Sequence, residues 1–340
     1  MADTALSVTR DPRPGRAIPS PFGVRTIVLA LIVLALLGVT GKRVQVDRLG
    51  AESVQAAAYL AGAADRSLVV ETIAGFGAKL FPIQVSRTTP VDRIPGFDAA
   101  RLPWFSHVET RSTTVQRLDP ATLKMRGETV TERVLVEEYG YVLDVAGKTF
   151  ETLEIGLWAT ILSVLLSFPL SLLAASTVTP HGAVRWAVRA LFGMFRAVPE
   201  LISALFMVLV FGFGPVAGVL ALGLHGVGFL GKFYAEDIEN APAGPQEALR
   251  AIGARRGQVF GYAILPQVMP QFLAYTIYLL DRNFRMATMI GLVGAGGIGQ
   301  ELKGRYDLYE YHHVATIMIA ILVSVLLLEI LSSRVRKRFL

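Results

Sequence analysis

The sequence predicts an all-α, polytopic membrane protein with about six transmembrane helices, on the basis of its composition and its apolar runs. The chain has 340 residues, of which 53% are hydrophobic and 18% are charged. Soluble globular proteins carry about 25% charged residues. The mean hydropathy is +0.50, and runs of about 20 apolar residues can cross a hydrocarbon core of ~30 Å as helices. Several such runs in one chain exclude an ordinary soluble enzyme.

The chain is basic, with a net charge of +6, but its basic residues form no single patch, which argues against nucleic-acid binding. Many of them flank the first and the last apolar run: Arg10, Arg13, Arg16, Arg25, Arg334, Arg336, Lys337 and Arg338. Because Lys and Arg mark the cytoplasmic side of a span, both termini are expected in the cytoplasm.

The two ends of the chain differ from the apolar runs beside them. Residues 1–22 hold four prolines among charges and are expected to form a disordered cytoplasmic tail. Residues 334–340 are expected to form a basic cytoplasmic tail. Residues 23–41 are the first predicted transmembrane helix. A cleaved signal peptide is the alternative, but no small-x-small cleavage site follows promptly, which favours a retained anchor.

Residues 42–150 are polar and are predicted to form an extracytoplasmic loop with a small mixed α/β insertion. Residues 67–82 have the pattern of an amphipathic helix that lies along the membrane interface. The stretches 108–118 and 129–137 are rich in Thr and Val and alternate in part. With a turn at 119–121 between them, they indicate a small β-meander.

Residues 151–333 are predicted to hold five further spans and a polar cytoplasmic loop at 236–266. These spans are residues 152–176, Pro199 to a break at 211–215, that break to Leu230, Val259 to 280, and 314–331. Six crossings place both termini on the same side, in agreement with the arginines at the two ends.

Two glycine motifs match nucleotide-binding sequences but lack their context. Three glycines in MIGLVGAGGIGQELK (residues 289–303) spell G-x-G-x-x-G, yet they lie between two spans where no strand–turn–helix unit fits. Small residues let membrane helices approach closely. We interpret the glycines here as helix-packing residues: Gly294, Gly296, Gly297 and Gly299. The stretch GVGFLGKF (226–233) begins like a P-loop, but Phe233 stands where a Ser or Thr would hold magnesium.

The cytoplasmic loop carries the most informative motif, in the segment PQEALRAIGARRGQVFGYAILP (residues 245–266). Five residues have the spacing E-A-x(4)-G-x(11)-L-P: Glu247, Ala248, Gly253, Leu265 and Pro266. On a helix, Ala248, Ala251 and Ile252 share one face and form a small apolar knob, while Glu247 is available to a basic partner. Gly253 can end or bend this helix, and Pro266 can start the next span.

This segment resembles the EAA loop of ABC-importer permeases, and residues 150–340 resemble the permease subunit of phosphonate importers. The stretches that carry the second resemblance are RAVPEL (196–201), FGPVAGVLAL (213–222), GKFYAEDIE (231–239), YAILPQVMP (262–270) and GLVGAGGIG (291–299). Leu249, Ala263 and Asp281 depart from the pattern, which prefers Ala, Ile and Glu at these positions. Residues 83–140 have no counterpart in the family core.

The resemblance implies a type I ABC-importer permease fold, shared with methionine-type importers, in the bacterial cytoplasmic (inner) membrane. It implies a homodimer of permeases, two ATPase subunits at the cytoplasmic face and an extracytoplasmic substrate-binding protein. The chain itself would be no enzyme and would bind no cofactor, with ATP and Mg on the partner ATPase. The ATPase-coupling residues would be Glu247, Ala248, Ala251, Ile252, Gly253, Leu265 and Pro266. The expected function is import of phosphonate or a related phosphorus oxyanion (phosphite or phosphate).

Charged and polar residues within the spans are candidates for the translocation path of an anion, because buried charges usually face a pore or a partner. The candidates are Asp281, Arg282, Asn283, Arg285, Arg196 and Glu200. Asp281 and Arg285, like Arg196 and Glu200, are four residues apart and can pair on one helical face. Two simpler roles stay open, a water-exposed helix end for the first pair and an anchor at the inner surface for the second. His225 is interpreted as a packed, hydrogen-bonded residue, and no metal site is predicted.

Two other functional classes remain as alternatives. A secondary transporter or channel for small anions would work without ATP and would need no EAA loop. An ATPase that co-purifies with the chain would exclude this class. A membrane oxidoreductase would carry a flavin or nicotinamide, which an absorption spectrum of the purified protein would reveal.

Overall fold

The computed structural model describes residues 23–99, 101–118 and 125–339. The predicted disordered tail at 1–22 and the predicted turn at 119–121 lie outside the described residues. The chain divides into two compact units, one that ends at Gly77 and one that starts at Ala78.

The first unit contains an apolar helix that is long enough to span a membrane. Helix α1 (Val24–Arg43) is followed by α2 (Val46–Leu60) and by α3 (Leu68–Leu80), which continues into the second unit. The Leu, Ile and Val side chains of α1 are exposed, as expected of a helix that needs lipid to cover its surface. The first predicted span is thus confirmed as a helix, and α3 lies where the sequence predicts an amphipathic helix.

The second unit begins with a three-stranded antiparallel sheet of order β1-β3-β2. Strands β2 (Ser106–Leu118) and β3 (Met125–Glu137) form a long hairpin, and the short β1 (Arg87–Pro90) pairs with the other edge of β3. The two predicted strands therefore pair with each other, and β1, a third strand that the sequence analysis did not predict, joins the other edge of β3. β1 ends in Pro90, which has no N–H to donate and so suits an edge strand.

Arg87 connects this sheet to the helix that follows it through two ion pairs. Arg87 pairs with Glu137 of β3 (Nη2–Oε2 2.6 Å) and with Asp144 of the next helix (Nη1–Oδ1 2.8 Å). The hydrogen bond to Glu137, helped by Asp144, raises the pKa of the Arg87 guanidinium. The base of the sheet is therefore fixed to the start of the helical bundle.

The rest of the second unit is helical. Its elements are α4 (Gly140–Ala174), α5 (Gly182–Ala197), α6 (Glu200–Phe211), α7 (Pro215–Asn240), α8 (Ala243–Ala251), α9 (Arg256–Val259), a π turn (Phe260–Ile264), α10 (Leu265–Gly291), α11 (Gly297–Asp307) and α12 (Tyr311–Phe339). Within the described residues, five helical segments are long and apolar enough to cross a membrane, and the bent pair α5–α6 could add a sixth. This number agrees with the predicted fold class of about six spans.

Several predicted boundaries differ from the observed helices. α7 runs to Asn240, beyond the predicted end at Leu230, and α10 runs to Gly291, beyond the predicted end at 280. α4 starts at Gly140, twelve residues before the predicted span at 152, because Tyr141 and Val145 bury an apolar face that continues beyond the apolar run. α12 runs to Phe339, so most of the predicted tail at 334–340 continues the helix of the last span.

The core of the helical bundle is formed where α7 packs against α4, α5, α6 and α10. Small residues make this packing close. A Cβ at Gly226 of α7 would collide with the Ser163 side chain of α4, and Oγ of Ser163 donates to the carbonyl oxygen of Gly223 at 2.9 Å. Small residues and short interhelical hydrogen bonds are the usual means by which membrane helices associate.

Candidate functional site

Helix α8 lies in the loop between α7 and α10, and its two ends are fixed by hydrogen bonds. At its start, Nε2 of the buried Gln246 donates to the carbonyl oxygens of Ala241 (3.0 Å) and Pro242 (3.2 Å). At its end, Gly253 adopts a left-handed φ of +83°, and two backbone hydrogen bonds of 3.0 Å close the last turn. This arrangement is a Schellman motif, in which glycine avoids the steric cost that other residues meet. The structure therefore ends α8 at the glycine of the sequence motif.

The exposed residues of α8 include a small apolar group, one carboxylate and Arg250. Ile252 exposes 79% of its surface, and Glu247, Ala248 and Ala251 are also exposed. Leu249 is only partly exposed. A short helix with an exposed apolar knob is suited to insertion into a groove on another protein.

The structure corrects the role predicted for Pro266. The next span does not start at this residue but ten residues earlier, at Arg256, and continues as one helical segment to Gly291. Just before Pro266, the N–H of Leu265 donates to the carbonyl oxygen of Phe260, one residue further back than in an α-helix. This π turn widens the helix directly before a proline that has no N–H of its own.

The polar residues of the fifth predicted span point in three different directions from α10. Asp281 and Arg285 pair at 2.8 Å, and Arg285 is largely exposed. Asn283 is buried and its Nδ2 donates to Oγ1 of Thr160 on α4 at 3.0 Å. Arg282 faces α6 and α7 instead. The span thus contains one local ion pair, one interhelical bond and one arginine in a different environment.

Arg282 meets two side chains from two other helices. Its Nη2 donates to Oε1 of Glu200, the first residue of α6. The same nitrogen lies 3.0 Å from Nε2 of His225 on α7, and that ring nitrogen lies 3.2 Å from Oε1 of Glu200. All three side chains are at least three-quarters buried. His225 is packed, as the sequence predicts, but its place beside two charges was not foreseen.

The predicted pair of Arg196 and Glu200 is not formed. Pro199 separates the end of α5 from the start of α6, and the two helix axes meet at 92°. Two residues on opposite sides of such a bend are not neighbours on one helical face, so the four-residue spacing was misleading. Arg196 instead lines a small cavity of about 140 Å³ together with Arg189 and Lys232.

The glycines of MIGLVGAGGIGQELK form the tight connection between α10 and α11. Gly294, Gly296 and Gly297 all have left-handed φ values, of +92°, +86° and +71°. A Cβ at Gly299 would collide with the carbonyl oxygen of Thr288. A helix precedes these glycines, so the strand–turn–helix unit of a dinucleotide site is not present here. The P-loop-like stretch at 226–233 lies inside helix α7 and forms no phosphate-binding loop.

Side chains of α4, which the sequence analysis did not single out, hold the start of α11. The N–H of Gly297 donates to Oε1 of Glu151 at 3.0 Å, and the N–H of Ile298 donates to Oγ1 of Thr152 at 2.8 Å. These contacts satisfy N–H groups that a helix leaves free at its start.

Further along α11, Arg305 is partly buried, and burial alone would lower the pKa of its guanidinium. Hydrogen bonds to Glu310 and Glu301 outweigh this effect and raise that pKa.

Comparison with known proteins assigns the helical bundle to a family. Residues 167–339 match the family described as binding-protein-dependent transport system inner membrane component, over about half of the chain. The chain belongs to this family. The matched region contains α8, the α10–α11 connection and the cluster of Arg282, Glu200 and His225, and it makes the chain a permease subunit of the inner membrane.

Several similar permeases belong by name to transport systems for phosphorus oxyanions. HtxE of Stutzerimonas stutzeri, which its name assigns provisionally to phosphite transport, is 51% identical over 261 residues, 77% of this permease and 100% of HtxE. PtxC of the same organism, a phosphite transport system permease, is 45% identical over 56% of this permease and 69% of PtxC. The phosphate-import permease PhnE of Mycolicibacterium smegmatis is 40% identical over 55% of this permease and 35% of PhnE.

Solved structures confirm the predicted fold. An inward-facing crystal form of the MetNI methionine ABC transporter has a chain that matches with a TM-score of 0.51 at 21% identity, over 58% of this permease and 96% of that chain. An amino acid ABC transporter crystallised with histidines matches with a TM-score of 0.50 at 18% identity, over 58% and 95% of the two chains. The permease therefore has the ABC-importer fold that the sequence motifs predict.

Proposed function

We propose that this permease is the membrane subunit of an ATP-driven importer for phosphorus oxyanions, a class that includes phosphonate, phosphite and phosphate. The observation that carries the proposal is the 51% identity with HtxE over the whole length of HtxE. PtxC and PhnE, whose names cite phosphite and phosphate, support the same class of substrate. The proposal includes a homodimer of permeases, two ATPase subunits and an external substrate-binding protein.

The exposed surface of α8 is the proposed contact with the ATPase, which would carry ATP and Mg. Its apolar residues and Glu247 form a small exposed knob. Because hydrogen bonds fix both ends of α8, a force applied to the knob would be transmitted to the helical bundle. ATP binding would draw the two α8 helices of the dimer together, and the continuous helix from Arg256 to Gly291 would carry this motion into the membrane. The orientation that this role requires places α8 and both termini in the cytoplasm.

The proposed path for the anion passes the junction of α6, α7 and α10. Arg282, Glu200 and His225 meet there, and polar residues inside membrane proteins usually line a pathway or a cavity. Asp281 and Arg285 form an ion pair on another side of α10 and remain candidates for the translocation path. Asn283, bonded to Thr160, supports the packing of α10 on α4 rather than a direct contact with the anion.

Uptake measurements with coupling variants test this function. The permease is co-expressed with its ATPase and its binding protein in cells that lack other phosphorus transport. Glu247→Arg and Gly253→Trp are expected to abolish uptake of phosphite or phosphonate while the chain still inserts. The charge-reversing control Arg48→Glu, on α2, is expected to transport normally.

Two outcomes would contradict the proposal. Normal uptake and normal ATP hydrolysis in the α8 variants would remove the coupling role of this helix. Uptake by the wild-type chain without any ATPase would instead indicate a secondary transporter or a channel.

A further inference from the structure

The cluster at the start of α6 lies at a break in a bent helix pair. α5 ends at Ala197, and α6 begins at Glu200 after Pro199. Membrane transporters bind ions and small charged substrates where a helix is interrupted, because such breaks expose backbone groups and helix ends. Arg282 of α10 and His225 of α7 also meet Glu200 at this break, so the candidate site consists of side chains from three helices and not of a helix end alone.

The opposite charges of Glu200 and Arg282 compensate each other within the cluster. Glu200 exposes 15% of its side chain, Arg282 24% and His225 11%. The carboxylate binds through a single oxygen, Oε1, and Arg282 uses a single nitrogen, Nη2, for both of its polar contacts in the cluster. A guanidinium has five N–H donors and binds oxyanions best through two of its nitrogens. The observed pairing therefore uses only part of the binding capacity of Arg282.

We propose that Arg282 and His225 form a binding site for the transported phosphorus oxyanion, and that the carboxylate of Glu200 occupies this site when the anion is absent. The inference rests on the proposed function and identifies where in the permease its substrate binds. A carboxylate oxygen and a phosphorus-bound oxygen accept the same hydrogen bonds from a guanidinium. An anion with three oxygens can engage more of the donors of Arg282 than Oε1 alone.

Exchange of one anion for another explains how the site can fill and empty. A charge left unpaired in a membrane segment is costly, and removal of one partner of a buried pair leaves the other without compensation. When the substrate displaces Glu200, Arg282 stays paired but the displaced carboxylate loses its cationic partner. This cost favours the return of Glu200, which releases the substrate. Glu200 thus acts as an internal competitor that keeps the affinity of the site low enough for transport.

Aromatic side chains lie beside Arg282. Cζ of Arg282 lies 5.8 Å from the centre of the Phe229 ring, which limits the guanidinium on that side. Tyr278 stacks on Phe229 with ring centres 5.9 Å apart, and 48% of its surface is exposed. The guanidinium therefore lies beside an aromatic pair as well as beside its two polar partners.

Direct binding of phosphite to the purified permease tests the inference. The permease is reconstituted in lipid nanodiscs without ATPase or binding protein, and sodium phosphite is titrated with detection by ³¹P NMR line broadening. Glu200→Gln is expected to bind phosphite about tenfold more tightly than the wild type, because apparent affinity rises with the fraction of free sites. Arg282→Gln is expected to lose binding.

Matched variants separate this role from a structural ion pair. Glu239→Gln breaks another Arg–Glu pair between two helices, Arg189–Glu239 at 2.7 Å, and should leave phosphite binding at the wild-type level. The double variant Glu200→Gln/Arg282→Gln carries no uncompensated charge at the cluster, so it should fold even if Arg282→Gln alone does not. It should bind no phosphite.

Several results would overturn the inference. They are equal binding by wild type and Glu200→Gln, retained binding in the double variant, or a gain in Glu239→Gln as large as in Glu200→Gln. Any of these together with normal ATP-driven uptake of phosphite would leave the proposed function intact and remove only the site. The proposed function itself would be contradicted by a different result, namely a wild-type complex that takes up no phosphorus oxyanion.

Discussion

Asn283 of α10 donates a hydrogen bond to Thr160 of α4, with Nδ2 and Oγ1 3.0 Å apart and both side chains buried. The hydroxyl of Thr160 in turn donates to the carbonyl oxygen of Gly156 at 2.8 Å. This bond fixes the rotation of α10 relative to α4. With α10 in this orientation, Arg282, the preceding residue, faces α6 and α7.

Thr160→Val is expected to destabilise the permease by about 1–3 kcal/mol, because it leaves the buried amide of Asn283 without its acceptor. Unfolding by sodium dodecyl sulfate in mixed micelles measures the change. Thr149→Val is the control on the same helix, since within the described part of the chain its hydroxyl bonds to the carbonyl oxygen of Val145 in its own helix and to no other helix. An equal loss in both variants would mean that the interhelical bond contributes nothing specific.

Gly299→Ala is expected to cost about 1–3 kcal/mol, since the added Cβ would meet the backbone oxygen of Thr288, and backbone must move to relieve the overlap. The same unfolding assay detects the loss. At Gly304, on the same helix α11, an added Cβ has nothing within 4 Å. Gly304→Ala should therefore be neutral or gain up to about 1 kcal/mol from helix propensity. Equal stability of the two variants would contradict the close contact at Gly299.

Ile252→Ser is expected to weaken ATPase binding by about tenfold without a loss of stability, because Ile252 is exposed in the isolated chain and would be buried in the complex. Retention of the ATPase on the immobilised permease measures this effect. Leu308→Ser removes an apolar side chain that is also well exposed, at 66%, after α11. It should retain the ATPase fully. Unimpaired retention by Ile252→Ser would exclude Ile252 from the contact.

Local sequence features predicted the parts of this structure that depend on neighbours in the chain. The long apolar runs identified the spans, and Gly253 identified the end of α8. The pair of Asp281 and Arg285 formed as predicted, because both residues lie in one uninterrupted helix. In such cases the periodicity of the helix is enough to place two side chains together.

Features that depend on distant parts of the chain were not predictable in this way. The partner of Glu200 is Arg282, 82 residues away, and no local spacing indicates that contact. The bend at Pro199 removed the apparent pairing of Glu200 with Arg196. Likewise, β1 joins the edge of β3 although the whole of β2 lies between them in the chain, and Glu151 reaches Gly297 from a different helix.

The account depends on α8 being a cytoplasmic contact for an ATPase, and thiol labelling tests this most directly. The chain has no cysteine, so Ala248→Cys on α8 and Lys303→Cys on α11 each provide a single label site. Because one span, Arg256–Gly291, separates α8 from α11, a cytoplasmic α8 places α11 outside. With a membrane-impermeant maleimide on intact cells, Lys303→Cys should therefore react and Ala248→Cys should not. In inverted vesicles Ala248→Cys should react, and added ATPase should protect it. Labelling of Ala248→Cys from outside the cell would contradict the account.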